Sequence, residues 1–181
     1  MIELVRWNEG EITIPYDPAQ HELYNAKDPA CVFHNVRWPL HPGRGKFGEF
    51  PLVVAREHFR ALGYVVLASE PLLPNDEGFI VLAYPGKRKA GDPAYQRMEA
   101  IFGAASLADL NLRADAAKKK ETGNRGGGDP DLFVYHPDDP PDRFFVEVKH
   151  HDHLTDKQRT TFPLIEELCP IVVARLTPKN C

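Results

Sequence analysis

Two acidic residues and a lysine lie on neighbouring segments that predict β-strands. Glu147 and Lys149 stand two residues apart in the run Arg143-Phe-Phe-Val-Glu-Val-Lys149, so a strand there projects both side chains from one face. A second β-forming run begins at Asp131, and the Pro/Asp-rich residues 136–142 predict a hairpin loop between the two strands. Antiparallel pairing then brings Asp131 opposite the end that carries Glu147 and Lys149.

The strand that carries Glu147 has two unlike faces. One face is wholly apolar and consists of Phe144, Val146 and Val148. On the other face, Phe145 is followed by Glu147 and Lys149. Charge on one side of an otherwise buried strand indicates a functional site. The alternative is an exposed ion pair without function, but the glycines at 126–128 favour a built site because they permit close backbone approach.

The chemistry that suits these residues is phosphodiester hydrolysis. Two clustered carboxylates repel each other unless a cation lies between them, and hard oxygen ligands favour Mg²⁺ or Mn²⁺ over zinc. Such a cation polarises a phosphodiester and lowers the pKa of a bound water, while Lys149 orients the water or stabilises developing negative charge. The carboxylates in turn favour the protonated form of Lys149.

The order of these residues resembles the PD-(D/E)xK nuclease superfamily, with Pro130-Asp131 and Glu147-Val148-Lys149 as the two halves of its signature. The helical run after the lysine and the terminal apolar run 170–175 look like the VRR-NUC branch, which resembles Holliday-junction resolvases. The resemblance covers about residues 126–176. It implies an α/β, restriction-endonuclease-like fold with an αβββαβ core, in which helices flank a central mixed sheet.

The resemblance also implies roles for individual residues. The implied catalytic residues are Asp131, Glu147, Lys149 and Gln158, with Gln158 orienting Lys149 or the water. The implied metal ligands are Asp131, Glu147 and the backbone carbonyl of Val148. The first helix usually adds an acidic residue in this family, and Glu49 is the first choice for it, with Glu57 as the second. The cofactor is then Mg²⁺ or Mn²⁺.

Charge gives mixed evidence for a nucleic-acid partner. With 22 Lys and Arg against 26 Asp and Glu, the formal net charge is −4, whereas nonspecific phosphate binders usually carry a basic surplus. Local basic groups still offer contacts, and the expected set is Arg125, Lys119, Lys120, His150, His151, His153 and Lys157. Arg175 is a further candidate. A zinc site at the histidines is disfavoured because no further ligand follows at zinc spacing.

The length of 181 residues suits a single nuclease domain. Residues 1–46 predict an irregular N-terminal arm with one strand at 11–14, and residues 47–69 predict the first core helix and strand. Residues 70–125 predict an insertion that governs substrate choice, with an apolar strand at 79–84 and helices near 94–102 and 107–120. Residues 126–176 hold the motif core.

Other features bound the function. Three cysteines without paired spacing indicate a reduced setting, and no long apolar run or phosphate-binding fingerprint occurs, so we expect a soluble cytoplasmic protein without a nucleotide cofactor. The favoured function is a metal-dependent DNA endonuclease, and a preference for branched or junction DNA and a role in repair or recombination are left open. A noncatalytic nucleic-acid-binding or assembly subunit and a ribonuclease stay as alternatives, and a homodimer is left open.

Overall fold

The computed structural model describes residues 4–26, 28–33, 50–68, 93–122 and 128–179, which form an α/β structure around a five-stranded mixed sheet. The strands are β1 Ile12–Tyr16, β2 Val65–Ala68, β3 Leu132–His136, β4 Asp139–Lys149 and β5 Ile171–Pro178. The helices are α1 Pro18–Ala26, α2 Phe50–Ala61, α3 Pro93–Phe102, α4 Ala104–Thr122 and α5 Asp156–Ile165. Across these ranges, no helix combines the length and apolar character needed to cross a bilayer.

The sheet places β4 at its centre. The strand order is β1-β5-β4-β3-β2, in which β4 pairs antiparallel with β3 and parallel with β5. A two-residue turn allows the antiparallel pair, while α5 provides the crossover that a parallel pair requires. From α2 onward the chain runs helix, strand, two strands, helix and strand, with α3 and α4 placed between β2 and β3.

The alternation read from β4 is confirmed in the packing. Its apolar face packs in one core cluster with buried residues of α1 and α2, including Tyr24 and Phe59. Phe145 packs on the opposite face, in a second cluster with residues of α3, α4 and α5 such as Met98 and Phe162. Helices therefore cover both sides of the sheet, and Glu147 and Lys149 project from the side that carries Phe145.

The strand expected at 11–14 is confirmed by β1, an edge strand that pairs parallel with β5. The irregular arm expected around it is wrong for α1, whose Tyr24 enters the core. The predicted hairpin loop is also too long, because β4 already begins at Asp139. Prolines 140 and 141 suggested a loop, but they lie near an irregularity in the β3–β4 register, where proline is tolerated in a strand.

The predicted insertion has two different parts. Helices α3 and α4 confirm the two expected helical stretches, while the apolar segment 79–84 lies outside the described residues. Leu107 and Leu110 of α4 are buried in the same cluster as Phe162 and Ile165 of α5. The helical part of the insertion is therefore a layer of the core and not an appendage.

Gly128 brings the chain from α4 into β3 through a narrow gap beside α5. Its φ of 95° lies in the left-handed region, and its carbonyl accepts a hydrogen bond from the Thr161 hydroxyl. A Cβ at this position would lie 2.9 Å from Thr161 Oγ1 and 3.1 Å from the Lys157 carbonyl. Only glycine satisfies both conditions. Because Asp131 follows three residues later, this contact with α5 helps to fix the position of the backbone that carries the Asp131 carboxylate.

Gly128→Ala is expected to lower the free energy of unfolding by about 2 kcal/mol more than Gly63→Ala, because it adds a steric clash to the backbone strain. Gly63 is a matched control, since its φ is 91° but its nearest obstacle to a Cβ lies 3.9 Å away. Chemical denaturation of both variants measures the difference. Equal losses would show that the close approach to α5 does not constrain the loop.

Candidate active site

An open pocket lies where β4 ends and β3 begins. Its volume is about 440 Å³, and Asp131, Glu147 and Lys149 line it together. The first turn of α2 and the loop at 150–152 form its other walls. The hairpin, the central strand and the first core helix thus converge on the residues that the sequence singles out.

Asp131 is held by the backbone of the neighbouring strand. The register pairs Leu132 with Val146, so Asp131 stands beside Glu147, and the Val148 N–H donates to Asp131 Oδ2 at 2.8 Å. The N–H and carbonyl of one strand residue point to the same edge. Pro130, two residues before β3, has no N–H to donate to the Val148 carbonyl. Val148 lines the pocket together with Asp131.

Glu147 is almost completely buried, with 2% of its surface exposed. Its Oε1 accepts hydrogen bonds from Lys149 Nζ at 2.9 Å and from Gln158 Nε2 at 2.5 Å. Its Oε2 is buried and has no hydrogen-bond partner among the described residues. A buried carboxylate oxygen without a partner is unfavourable unless a cation or a ligand reaches it.

Gln158 is fixed at the start of α5 by a capping box. The Thr155 side chain accepts from the Gln158 N–H, and Gln158 Oε1 accepts from the Thr155 N–H at 2.9 Å. This leaves the amide nitrogen of Gln158 directed at Glu147. The described contact of Gln158 is thus with the Glu147 carboxylate, and its expected role in orienting Lys149 or the water stays a prediction.

Lys149 lies between two carboxylates and is 4% exposed. Its Nζ is 2.9 Å from Glu147 Oε1 and 2.9 Å from Asp152 Oδ2. Sequence reasoning missed Asp152, because it follows the strand end, where strand periodicity no longer places side chains. Its position three residues after the lysine within the polar run was the only available signal.

Arg175 holds the loop that carries Asp152. Its Nη1 donates to the carbonyls of His150 and Asp152, both at 3.2 Å, and its guanidinium forms a two-point ion pair with Glu11. The expected phosphate contact of Arg175 is therefore replaced by a structural one. Glu11, immediately before β1, thus helps to position the pocket.

The electrostatics of the pocket favour cation binding. Burial raises the pKa of Asp131 to about 6. Burial, followed by the negative charge of Asp131, raises the pKa of Glu147 to about 8. Burial opposes the charge of Lys149, but Glu147 and Asp152 outweigh it and raise the lysine pKa. With all groups ionised, three carboxylates against one ammonium leave a formal charge of −2.

The donor set fits Mg²⁺ or Mn²⁺. Asp131, the orphaned Oε2 of Glu147 and the Val148 carbonyl are hard oxygen donors at one pocket, and Mg²⁺ is commonly bound through one or two carboxylates with its remaining positions left to water. In the part of the chain that the structure describes, no three His, Cys, Asp or Glu side chains converge as a ligand set. Glu49 lies outside the described residues, whereas Glu57 is exposed and pairs with arginines of its own helix.

The residues expected to contact nucleic acid separate into groups. His150 and His151 line the pocket. His153 is exposed on the same loop, and Lys157 is half-buried on α5. Lys119 and Lys120 lie near the end of α4, where Lys119 pairs with Asp115 at 3.5 Å, and Arg125 lies outside the described residues.

Lys118 differs from its two basic neighbours because it is fully buried. Burial lowers its pKa, and the charges of Asp129 and Asp115 oppose that effect. It therefore belongs to the interior beneath the loop that leads to Asp131 and not to a surface patch. The sequence, with three consecutive lysines, does not reveal that Lys118 is buried while its neighbours are exposed.

Neither a family model, nor a curated protein, nor a solved structure matches this chain. The chemistry of the pocket is therefore inferred from its residues and their geometry.

Glu147→Gln is expected to stabilise the metal-free protein at pH 8 by on the order of 2 kcal/mol, with the gain fading toward pH 5. Because the pKa of Glu147 rises from 4.5 to about 8, the folded protein holds a proton in that window which the unfolded chain releases. The free energy of unfolding of the wild type thus falls as pH rises from 4.5 to 8. Denaturation of both proteins in EDTA between pH 4.5 and 8 measures the difference in the free energy of unfolding. A variant less stable than the wild type at pH 8 would contradict the explanation that burial raises the pKa of Glu147.

Proposed function

We propose that this protein is a Mg²⁺- or Mn²⁺-dependent endonuclease that hydrolyses phosphodiester bonds of DNA on a restriction-endonuclease-like core. The observation that carries the proposal is the buried Glu147, which lines the pocket, shares Oε1 between Lys149 and Gln158 and has no partner for Oε2 among the residues that the structure describes. A purely structural ion pair would leave neither a buried orphan oxygen nor a second buried carboxylate beside it.

Charge balance supports the choice of cofactor. A formal charge of −2 around the buried Glu147 and Lys149 is unfavourable, and one divalent cation neutralises it. Asp131, Glu147 and the Val148 carbonyl would hold that cation. When bound, it would supply Lewis acidity for the phosphodiester and lower the pKa of the attacking water. A bound cation would also lower the pKa values of both carboxyl groups and so favour their ionised forms.

Lys149 positions the attacking water. An ammonium has three donors, and two are taken by Glu147 and Asp152. These two contacts fix the direction of the third N–H, which donates to a water or to a phosphate oxygen in the pocket. The water oxygen bonds to phosphorus as the bond to the 3′ oxygen breaks, and the proton lost by the water balances the one taken up by the leaving oxygen. Lys149 also stabilises the negative charge that develops on phosphorus oxygens.

Positioning of these groups comes from three separate elements. Gln158 fixes Glu147 from α5, the Val148 N–H fixes Asp131 from β4, and Arg175 fixes the Asp152 loop from β5. Catalysis by orientation requires such support, because small displacements of reacting groups reduce rates strongly. The family resemblance alone supports two further parts of the proposal, which are a preference for branched DNA and action as a homodimer.

Cleavage assays test the proposed function. Supercoiled, linear, flapped and four-way-junction DNA are incubated with Mg²⁺, Mn²⁺ or EDTA, and single-stranded RNA serves as competitor. We expect metal-dependent cutting by the wild type and a loss in kcat/KM of about 10³-fold or more in Asp131→Asn and Glu147→Gln. Calorimetry should show weaker Mn²⁺ binding by both variants.

Glu57→Gln is the matched control, since it removes a carboxylate on α2 outside the pocket. It should cut as the wild type does. Cutting of RNA in preference to DNA would move the assignment to a ribonuclease. DNA binding without cutting of any substrate would favour the noncatalytic subunit.

Asp152→Asn should lower kcat by about tenfold and leave Mn²⁺ affinity within about threefold of the wild type, because it weakens one charged hydrogen bond to Lys149. Rapid-quench kinetics and calorimetry separate these two quantities. Asp152→Glu should recover part of the rate, since a carboxylate returns near the ammonium. An equal fall in metal affinity would instead make Asp152 a ligand.

A further inference from the structure

Five rings from separate parts of the chain pack beside the pocket. The His150 ring lies 3.7 Å from the His151 ring between centroids, with planes inclined by 34°. Tyr16 joins His150 Nε2 through its hydroxyl at 3.0 Å, and His21 packs edge-on against His150. Phe50 supports this arrangement, because His21 stacks on it at 4.6 Å. We call this set the ring cluster.

The ring cluster is rigid at its base and open at its end. Phe50 and Tyr16 are buried, and both belong to the core cluster on the α2 side of the sheet. His151 is exposed and lines the pocket, with His150 covering one of its faces. A flat ring whose orientation is set by a stack behind it offers its opposite face to another flat ring.

The pocket is larger than hydrolysis of a phosphodiester requires. Its volume of about 440 Å³ lies in the range of pockets that hold a small organic ligand, and the carboxylates and Lys149 occupy only one part of its wall. The remaining wall consists of Pro51 and Leu52 at the start of α2 together with His150 and His151. An apolar surface facing imidazole rings suits a planar, weakly polar group.

We propose that His151 stacks on the nucleobase next to the scissile phosphate, and that the pocket accepts this base out of the DNA stack. His151 follows Lys149 by two residues, which span at most about 7 Å, and this is within the span of one nucleotide. Histidine is among the side chains on which unstacked bases pack in nucleic-acid complexes. The inference rests on the proposed function, because the position of the phosphate follows from the catalytic residues.

The same geometry argues against a mainly ionic role for these histidines. His150 Nε2 is already bonded to Tyr16, so this nitrogen is engaged before any phosphate arrives. Arg175 holds the loop through the His150 carbonyl, which fixes the backbone between the two rings. Both contacts orient ring faces, and oriented faces matter for stacking more than for attraction of a phosphate.

The test combines a change in the DNA with a change in the protein. Once the cut position is mapped, the nucleotide on either side of it is replaced by an abasic residue, and single-turnover kcat/KM is measured. The wild type should prefer the base-containing substrate by about tenfold on one side of the cut. His151→Ala should abolish the preference, and His151→Phe should retain it because the ring remains. His58→Ala, which removes a histidine far from the ring cluster, should retain it as well.

Equal cutting of the base-containing and both abasic substrates by the wild type would overturn the proposal, as would a preference that survives in His151→Ala. A second readout does not need cleavage. With Ca²⁺ in place of Mg²⁺, the emission of 2-aminopurine in a single-stranded oligonucleotide should change on binding to the wild type and to His151→Phe but not on binding to His151→Ala. A change with this pattern but without cleavage under Mg²⁺ would refute the nuclease and keep the base site, whereas an equal change with all three proteins would refute the base site.

Discussion

The buried carboxylate of Glu147 is the interaction on which the arrangement of this protein depends. Placing a carboxylate in a sheet interior is unfavourable by several kcal/mol unless neighbours compensate. Here Lys149 and Gln158 compensate one oxygen, while the other has no partner within the described part of the chain. The capping box of α5 supplies Gln158 and the end of β4 supplies Lys149, whereas the β3–β4 register brings Asp131, whose negative charge opposes ionisation of Glu147. The Oε2 atom of Glu147 therefore lowers the stability of the metal-free protein, although the proposed activity requires it.

Much of the site followed from local rules. The two-residue period of β4 correctly separates its faces, and the breaker residues between β3 and β4 correctly indicate a hairpin, so the sequence alone places Asp131 near Glu147. Both rules depend on neighbours in sequence, which the chain reveals directly. The order of helices and strands from α2 to β5 followed for the same reason.

The parts that escaped prediction depend on contacts between distant residues. The hydrogen bond from Tyr16 to His150 joins residues 134 apart, and the ion pair of Glu11 with Arg175 joins residues 164 apart. Nothing in the local pattern of 12–26 indicated that this stretch would join the sheet at β5. Lys118 escaped for a different reason, because three consecutive lysines read as a solvated run although a helix turns each of them toward a different environment.

The pairing of β1 with β5 has a consequence for how the protein is made. Pairs of high sequence separation form late, because a long loop must close before they gain anything from contact. A ribosome that has released residues 1–150 has already produced Asp131, Glu147 and Lys149, yet the strand that carries Arg175 is still missing. The loop with Asp152 then has no anchor, and the histidine rings have no fixed backbone. Under the proposed function, the pocket would lack this support until β5 has been synthesised.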